Sequence, residues 1–195
     1  MTKLRYTLKL AVPLLLAPAF ARAQRPAPYS LVDITASADR SAPRGAFGGY
    51  YTGGSGYALD LAMPLPVGVV TLTAAHVPYH GMLEAYRDFT ATEALFGWGL
   101  ALPKRGRLSA RAGVRAGEFM MAFDDTVITP GLRNEKELML GATAEAALRI
   151  AGPWSIAAQA SWDHVHLHVP THLLSLQGGL RYTLGLPDWI QEIVR

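Results

Sequence analysis

The side chains best suited to chemistry are six histidines and one short run that holds a serine, an acid and a histidine. His76, His80, His164, His166, His168 and His172 all fall in two stretches of the chain. His164, His166 and His168 alternate, so an extended backbone presents them on one side, with Asp163, Glu84 and Asp88 as acidic candidates to join them. Imidazole with carboxylate suits Zn, Ni or Cu, although His-x-His alone is a weak spacing signal and no cofactor is expected. Ser161, Asp163 and His164 supply the minimum set for acyl transfer. Their spacing works against it: Ser161 and His164 have opposite parity and point to opposite faces of a strand unless a bulge intervenes. A non-enzymatic role is therefore preferred.

A second group consists of charges in otherwise apolar surroundings. Asp33, Asp60, Glu93, Glu137 and Glu145 are matched by Arg111, Arg115, Arg149 and Arg181, and all of them alternate with apolar residues. Enclosed together, such groups must pair and hydrogen-bond, because an unpaired buried charge is costly. The expected role is a stabilising ion-pair network.

The elements that position these residues are runs of period two, which mark strands lying between two different environments. Eight are readable: 29–39, 56–63, 69–79, 89–102, 108–123, 137–150, 154–164 and a closing run, 177–184. In the sixth, Leu138, Leu140, Ala142, Ala144, Ala146, Leu148 and Ile150 occupy successive even positions. That spacing would wrap them around a helix, so it argues for a strand despite good helix formers. In the fifth, the apolar phase changes at Phe119, Met121 and Phe123, which predicts a bulge or a strand end near Gly117. The connections alternate: 64–68, 103–107 and 151–153 are short, whereas 40–55, 80–88, 124–133 and about 165–171 are longer.

Residues 1–23 carry Lys3, Arg5 and Lys9, an apolar stretch and Ala21-Arg22-Ala23, and read as a cleaved secretory signal peptide. Residues 24–28 follow as a Pro-containing lead-in, 29–185 hold the strands, and 186–195 form a tail. The leader takes four of the 18 Lys and Arg residues and none of the 15 acids, which leaves the mature chain slightly acidic and removes the support for nucleic-acid binding. With no cysteine there is no disulfide, thiolate metal site or lipid anchor. The mature chain has no apolar run of spanning length, so a membrane-embedded form must be a barrel.

The closing run carries a resemblance. Gln177, Gly179, Tyr182 and Leu184 are similar to the terminal-strand signal of bacterial outer-membrane β-barrels. The mature chain as a whole resembles the small eight-stranded outer-membrane barrels of the OmpX and OmpA transmembrane-domain type. The resemblance implies an all-β, antiparallel, up-and-down barrel, exported and then folded by the barrel-assembly machinery. Short periplasmic turns, long external loops and contact with outer-membrane lipid and lipopolysaccharide go with it. Eight strands leave an interior just wide enough for side chains, so no open pore is expected.

The apolar faces then meet lipid and the charges are enclosed. Tyr29, Trp98, Trp154 and Tyr182 are expected in one interfacial girdle, and Tyr57, Tyr79, Phe89 and Trp162 in the other. Phe47, Tyr50 and Tyr51, among five glycines, form an external loop suited to contact with an unidentified surface. Asp188 could cap a short tail helix with Trp189, Ile190, Ile193 and Val194 on one side. Two alternatives remain. Lipid A deacylases and acyltransferases are also eight-stranded barrels, but the His-x-Ser-Asn run of the deacylases is missing here. A soluble periplasmic lipocalin-like binder would place its apolar face inside.

Overall fold

The computed structural model describes residues 30–123, 135–167, 171–187 and 189. The leader, the lead-in, Tyr29, His168, Asp188 and the last six residues lie outside them, and with them the expected signal peptide and tail helix.

The strands are β1 (Leu31–Arg44), β2 (Tyr51–Gly53), β3 (Ser55–Pro64), β4 (Val69–Gly81), β5 (Phe89–Ala101), β6 (Leu108–Phe123), β7 (Glu135–Ala151), β8 (Trp154–Val165) and β9 (Thr171–Gly185). Each pairs antiparallel with its neighbour. The ring runs β1, β3, β4, β5, β6, β7, β8, β9 and closes from β9 back onto β1. The short β2 continues the line of β3 along β4, so the molecule is a closed eight-stranded barrel. Among the described residues, no helix is long and apolar enough to cross a membrane.

Alternation sets the two faces. Leu59, Leu72, Phe96, Val114, Leu140, Ile156, Leu176 and Leu180 point outward and are exposed, and Thr35, Asp60, Glu93, Arg115, Glu145, Asp163 and Arg181 point inward and are buried. This is the inverse of a soluble barrel. The short turns lie at one end. Gly152 sits in the two-residue link between β7 and β8 with φ +50, a left-handed conformation that costs glycine little.

Two expectations need correction. β6 pairs in unbroken register with β7 from Leu108 to Met121 and with β5 from Arg111 to Phe123, so there is no bulge near Gly117. The apolar phase changes because the barrel interior itself turns apolar at the long-loop end. Tyr79 and Phe89 likewise do not belong to an outer girdle. They are 0% and 1% exposed and stack inside the barrel, ring centroids 4.9 Å apart and 5° from parallel. Val77, Phe119, Met121, Met139, Val165 and Leu173 belong to the same internal apolar cluster. A shift of register does occur elsewhere, between Arg149 and Ala151 opposite β8.

The other girdle residues among those described point outward. Trp98, Trp154 and Tyr182 face outward near the short-turn end, where Trp154 and Tyr182 meet edge to face at 4.9 Å and Trp98 Nε1 donates to the Val67 carbonyl. Tyr57 and Trp162 are outward at the other end, 64% and 49% exposed.

Candidate functional site

The interior has three levels. Nearest the long loops lies the apolar cluster, sealed by the first loop. A one-turn 3-10 helix (Phe47–Gly49) carries Phe47 down into the mouth, 4.8 Å from Tyr51, 6.1 Å from Phe89 and 6.4 Å from Tyr79 by ring centroid. Phe47 and Tyr51 therefore plug the barrel instead of forming a contact loop, and Tyr50 alone of the three stays exposed. Tyr50 packs on Tyr86 of the second loop at 4.8 Å, and Met82 N donates to the Tyr50 carbonyl, which joins the two loops.

Below the plug is a polar level. Arg115 on β6 grips Asp163 on β8 with two hydrogen bonds, Nε to Oδ1 at 2.8 Å and Nη2 to Oδ2 at 2.6 Å. Ser161 Oγ accepts from Arg115 Nη2 at 2.7 Å and donates to Asp163 Oδ2 at 2.8 Å. Gln177 donates to Asp39 Oδ2 and accepts from Gln159. At the top of this level Tyr79 donates its hydroxyl to Ser41 at 2.8 Å. Glu93, 1% exposed, lies between the apolar and polar levels, and one of its carboxylate oxygens has no hydrogen-bond partner.

The third level faces the short turns. Glu145 bridges two arginines, accepting from Arg111 Nη2 at 2.5 Å and pairing with Arg181. Arg181 also reaches Asp33 at 3.7 Å and donates to Thr35 Oγ1. Thr183 donates to Asp33, and Thr73 to Asp60. Seven of the nine charged residues expected in the interior, Asp33, Asp60, Glu93, Arg111, Arg115, Glu145 and Arg181, thus lie inside on β1, β3, β5, β6, β7 and β9. Glu137 is half-buried near the long-loop end and Arg149 is exposed at the short-turn rim. Asp39, Asp163, Gln159 and Gln177 are part of the same interior, although the expected charge network does not include them. Their shared inward parity with Asp33, Ser161 and Arg181 was the available signal.

The candidate catalytic residues do not converge. Ser161 and Asp163 are inside, 4% and 0% exposed, and bonded to Arg115, while His164 is on the outer wall beside exposed Trp162. The histidines divide into separate groups. His76 stacks on Tyr57, and His80 pairs with Asp88 at 2.8 Å. His164, His166 and His172 gather on the outer wall, with ring centroids of 4.6 and 4.8 Å from His164 and Trp162 stacked on His172. Among the described residues, no group of three or more His, Asp or Glu side chains could hold a metal ion.

Of the proposed terminal-strand signal, Gln177 points inward, whereas Tyr182 and Leu184 point outward. At Gly179 an added Cβ would lie 2.6 Å from the Ser37 backbone of β1, so this glycine permits close approach at the closing seam.

No family description matches the chain, and no curated protein matches it in sequence. Its fold is similar to solved structures of small outer-membrane barrels. Neisserial surface protein A is matched with a TM-score of 0.57 and 10% identity, over 77% of this chain and 96% of that one. The attachment invasion locus protein Ail of Yersinia pestis is matched with a TM-score of 0.55 and 14% identity, over 80% and 99%. The outer membrane protein AlkL is matched with a TM-score of 0.50 and 11% identity, over 80% and 91%. The chain has the fold of the small eight-stranded outer-membrane β-barrels.

Proposed function

We infer that this chain is an integral outer-membrane barrel with a structural or surface-interaction role and no open pore. The observation that carries the reading is the reversal of faces: an exposed apolar wall surrounds an interior of ion pairs, with the Asp163 side chain wholly buried. In water that wall would be a very large exposed apolar surface, and in a bilayer it is matched by hydrocarbon. The signal peptide delivers the chain to the periplasm, and the barrel-assembly machinery recognises the last strand. The short turns then face the periplasm, and the long loops face outward.

A diffusion route is closed by the Phe47 plug, so the external loops remain as the working surface. Tyr50, Met82 and Leu83, 40%, 57% and 61% exposed, form an apolar patch on two loops that brace each other, and this suits contact with another molecular surface. The outward His164, His166 and His172 with Trp162 stand at the level of lipopolysaccharide head groups. The reading is tested on a membrane fraction of expressing cells. A band whose electrophoretic mobility changes on boiling, with external-loop tags accessible on whole cells, is the expected result. A soluble periplasmic protein with one mobility overturns it.

A further inference from the structure

The short-turn end of the barrel holds a cavity of about 170 Å³, roofed by the Arg111–Glu145–Arg181 pairing and rimmed by Lys104, Arg107 and Arg149. Its lining carries five cations against two carboxylates, Asp33 and Glu145. Both acids are already engaged by Arg111 and Arg181. Lys104, Arg107 and Arg149 make no ion pair among the described residues. Three cations thus converge on one concavity with no countercharge of their own among the described residues, and Ser109, Ser155 and Thr183 line its wall.

We propose that this cavity is a binding site for a phosphate-bearing anion entering from the side opposite the external loops. A single carboxylate would leave most of the surplus positive charge unmatched, whereas a phosphate or diphosphate brings two or more negative charges and several acceptor oxygens. Arginine meets those oxygens with paired donors, and lysine with a point charge. Size points the same way. Pockets for drug-sized ligands run to roughly 300–1,000 Å³, and this one has room only for a small head group. The phosphate can come from a soluble ion or from a phospholipid head group of the adjoining leaflet.

The test uses the full mature chain, folded in an uncharged maltoside detergent so that no phosphate comes from the micelle. Pyrophosphate and short-chain phosphatidic acid are titrated separately by calorimetry at pH 7 and low salt. Each removal of a rim cation, Arg149→Ala or Lys104→Ala, should weaken saturable binding by roughly tenfold, since a charge-assisted contact is worth that much. Arg40→Ala, on the exposed outer wall, should leave it unchanged.

Saturation by pyrophosphate, weakened in the rim variants, supports the site with a soluble ligand. Saturation by phosphatidic acid alone, weakened in the same variants, supports it with a lipid head group. No saturable heat from either probe, or binding indifferent to both rim variants, overturns the proposal. The mobility shift on boiling, read on every variant, shows separately whether the barrel is folded.

Discussion

Arg115 and Asp163 meet across a gap left by a strand between them: Arg115 is paired with Gly141, and Gly141 with Asp163, so two charged side chains join over a residue that has none. The glycine is a spatial requirement, since a Cβ there would lie 2.8 Å from the Asp163 carboxylate carbon. Gly141→Ala should push Asp163 off its bidentate partner. Urea unfolding from lipid vesicles is expected to show a loss of stability comparable with removing the acid itself.

Removing the acid leaves a guanidinium that is almost fully buried without its carboxylate. Breaking a buried pair in this way typically costs about 3–5 kcal/mol. Asp163→Asn should lose less than Asp163→Ala, because an amide can still accept from Arg115 and Ser161. Equal stability of Asp163→Ala and wild type would contradict the buried pairing.

The plug makes a separate prediction. Phe47→Ala removes a ring packed on Tyr51, Tyr79 and Phe89. A fully enclosed phenylalanine truncation costs about 3–5 kcal/mol, and the lower end is expected at a mouth. Amide exchange should rise at β2 and the first loop while the β6–β7 and β8–β9 ladders stay protected. Uniform loss of protection would show that the ring holds up the whole barrel.

Val114 faces outward halfway along β6, 61% exposed. If hydrocarbon lies against it, Val114→Arg should destabilise the vesicle-folded protein by about 2–4 kcal/mol. The same substitution at Leu83, in the second long loop, should be close to neutral. Similar costs at both positions would remove the membrane assignment.

Asp88 holds the second loop through His80 and through the Gly81 N–H, and the hydrogen bond from His80 keeps its carboxyl below the ordinary value of 3.8. A group whose folded pKa is lowered contributes its stabilisation above the unfolded value and loses it as pH falls through the folded one. Loop amides at 81–88 should therefore keep their protection down to about the ordinary aspartate range and lose it at more acidic pH. Asp88→Asn should abolish that acid transition. An unchanged transition in the variant would assign it to another group.

Much of the barrel was legible from the chain alone, because a strand between lipid and a filled interior writes its two faces into alternate residues. Leu138 to Ile150 on one parity and Glu137 to Arg149 on the other could be read directly. At one end the interior departs from that pattern. Phe119, Met121 and Phe123 read as a break in β6 only against a lumen that is polar throughout; the strand is regular and the lumen changes character. Tyr79 shares parity with Thr71 and Thr73, and Phe89 with Glu93, a signal that outweighs their position near strand ends. The Arg115–Asp163 pair could not be read locally, because it depends on the register of two hairpins across Gly141.

The seam between β1 and β9 joins Leu31 to Gly185 at one end and Arg44 to His172 at the other. Thr183 and Asp33, 150 positions apart, are hydrogen-bonded across it. Ring closure must therefore wait until nearly the whole polypeptide has been synthesised, with at most seven of the eight strand pairings able to form beforehand. Until then the outer edges of β1 and β9 have no mates, and the pairing that closes the ring spans the longest stretch of chain of any in the barrel.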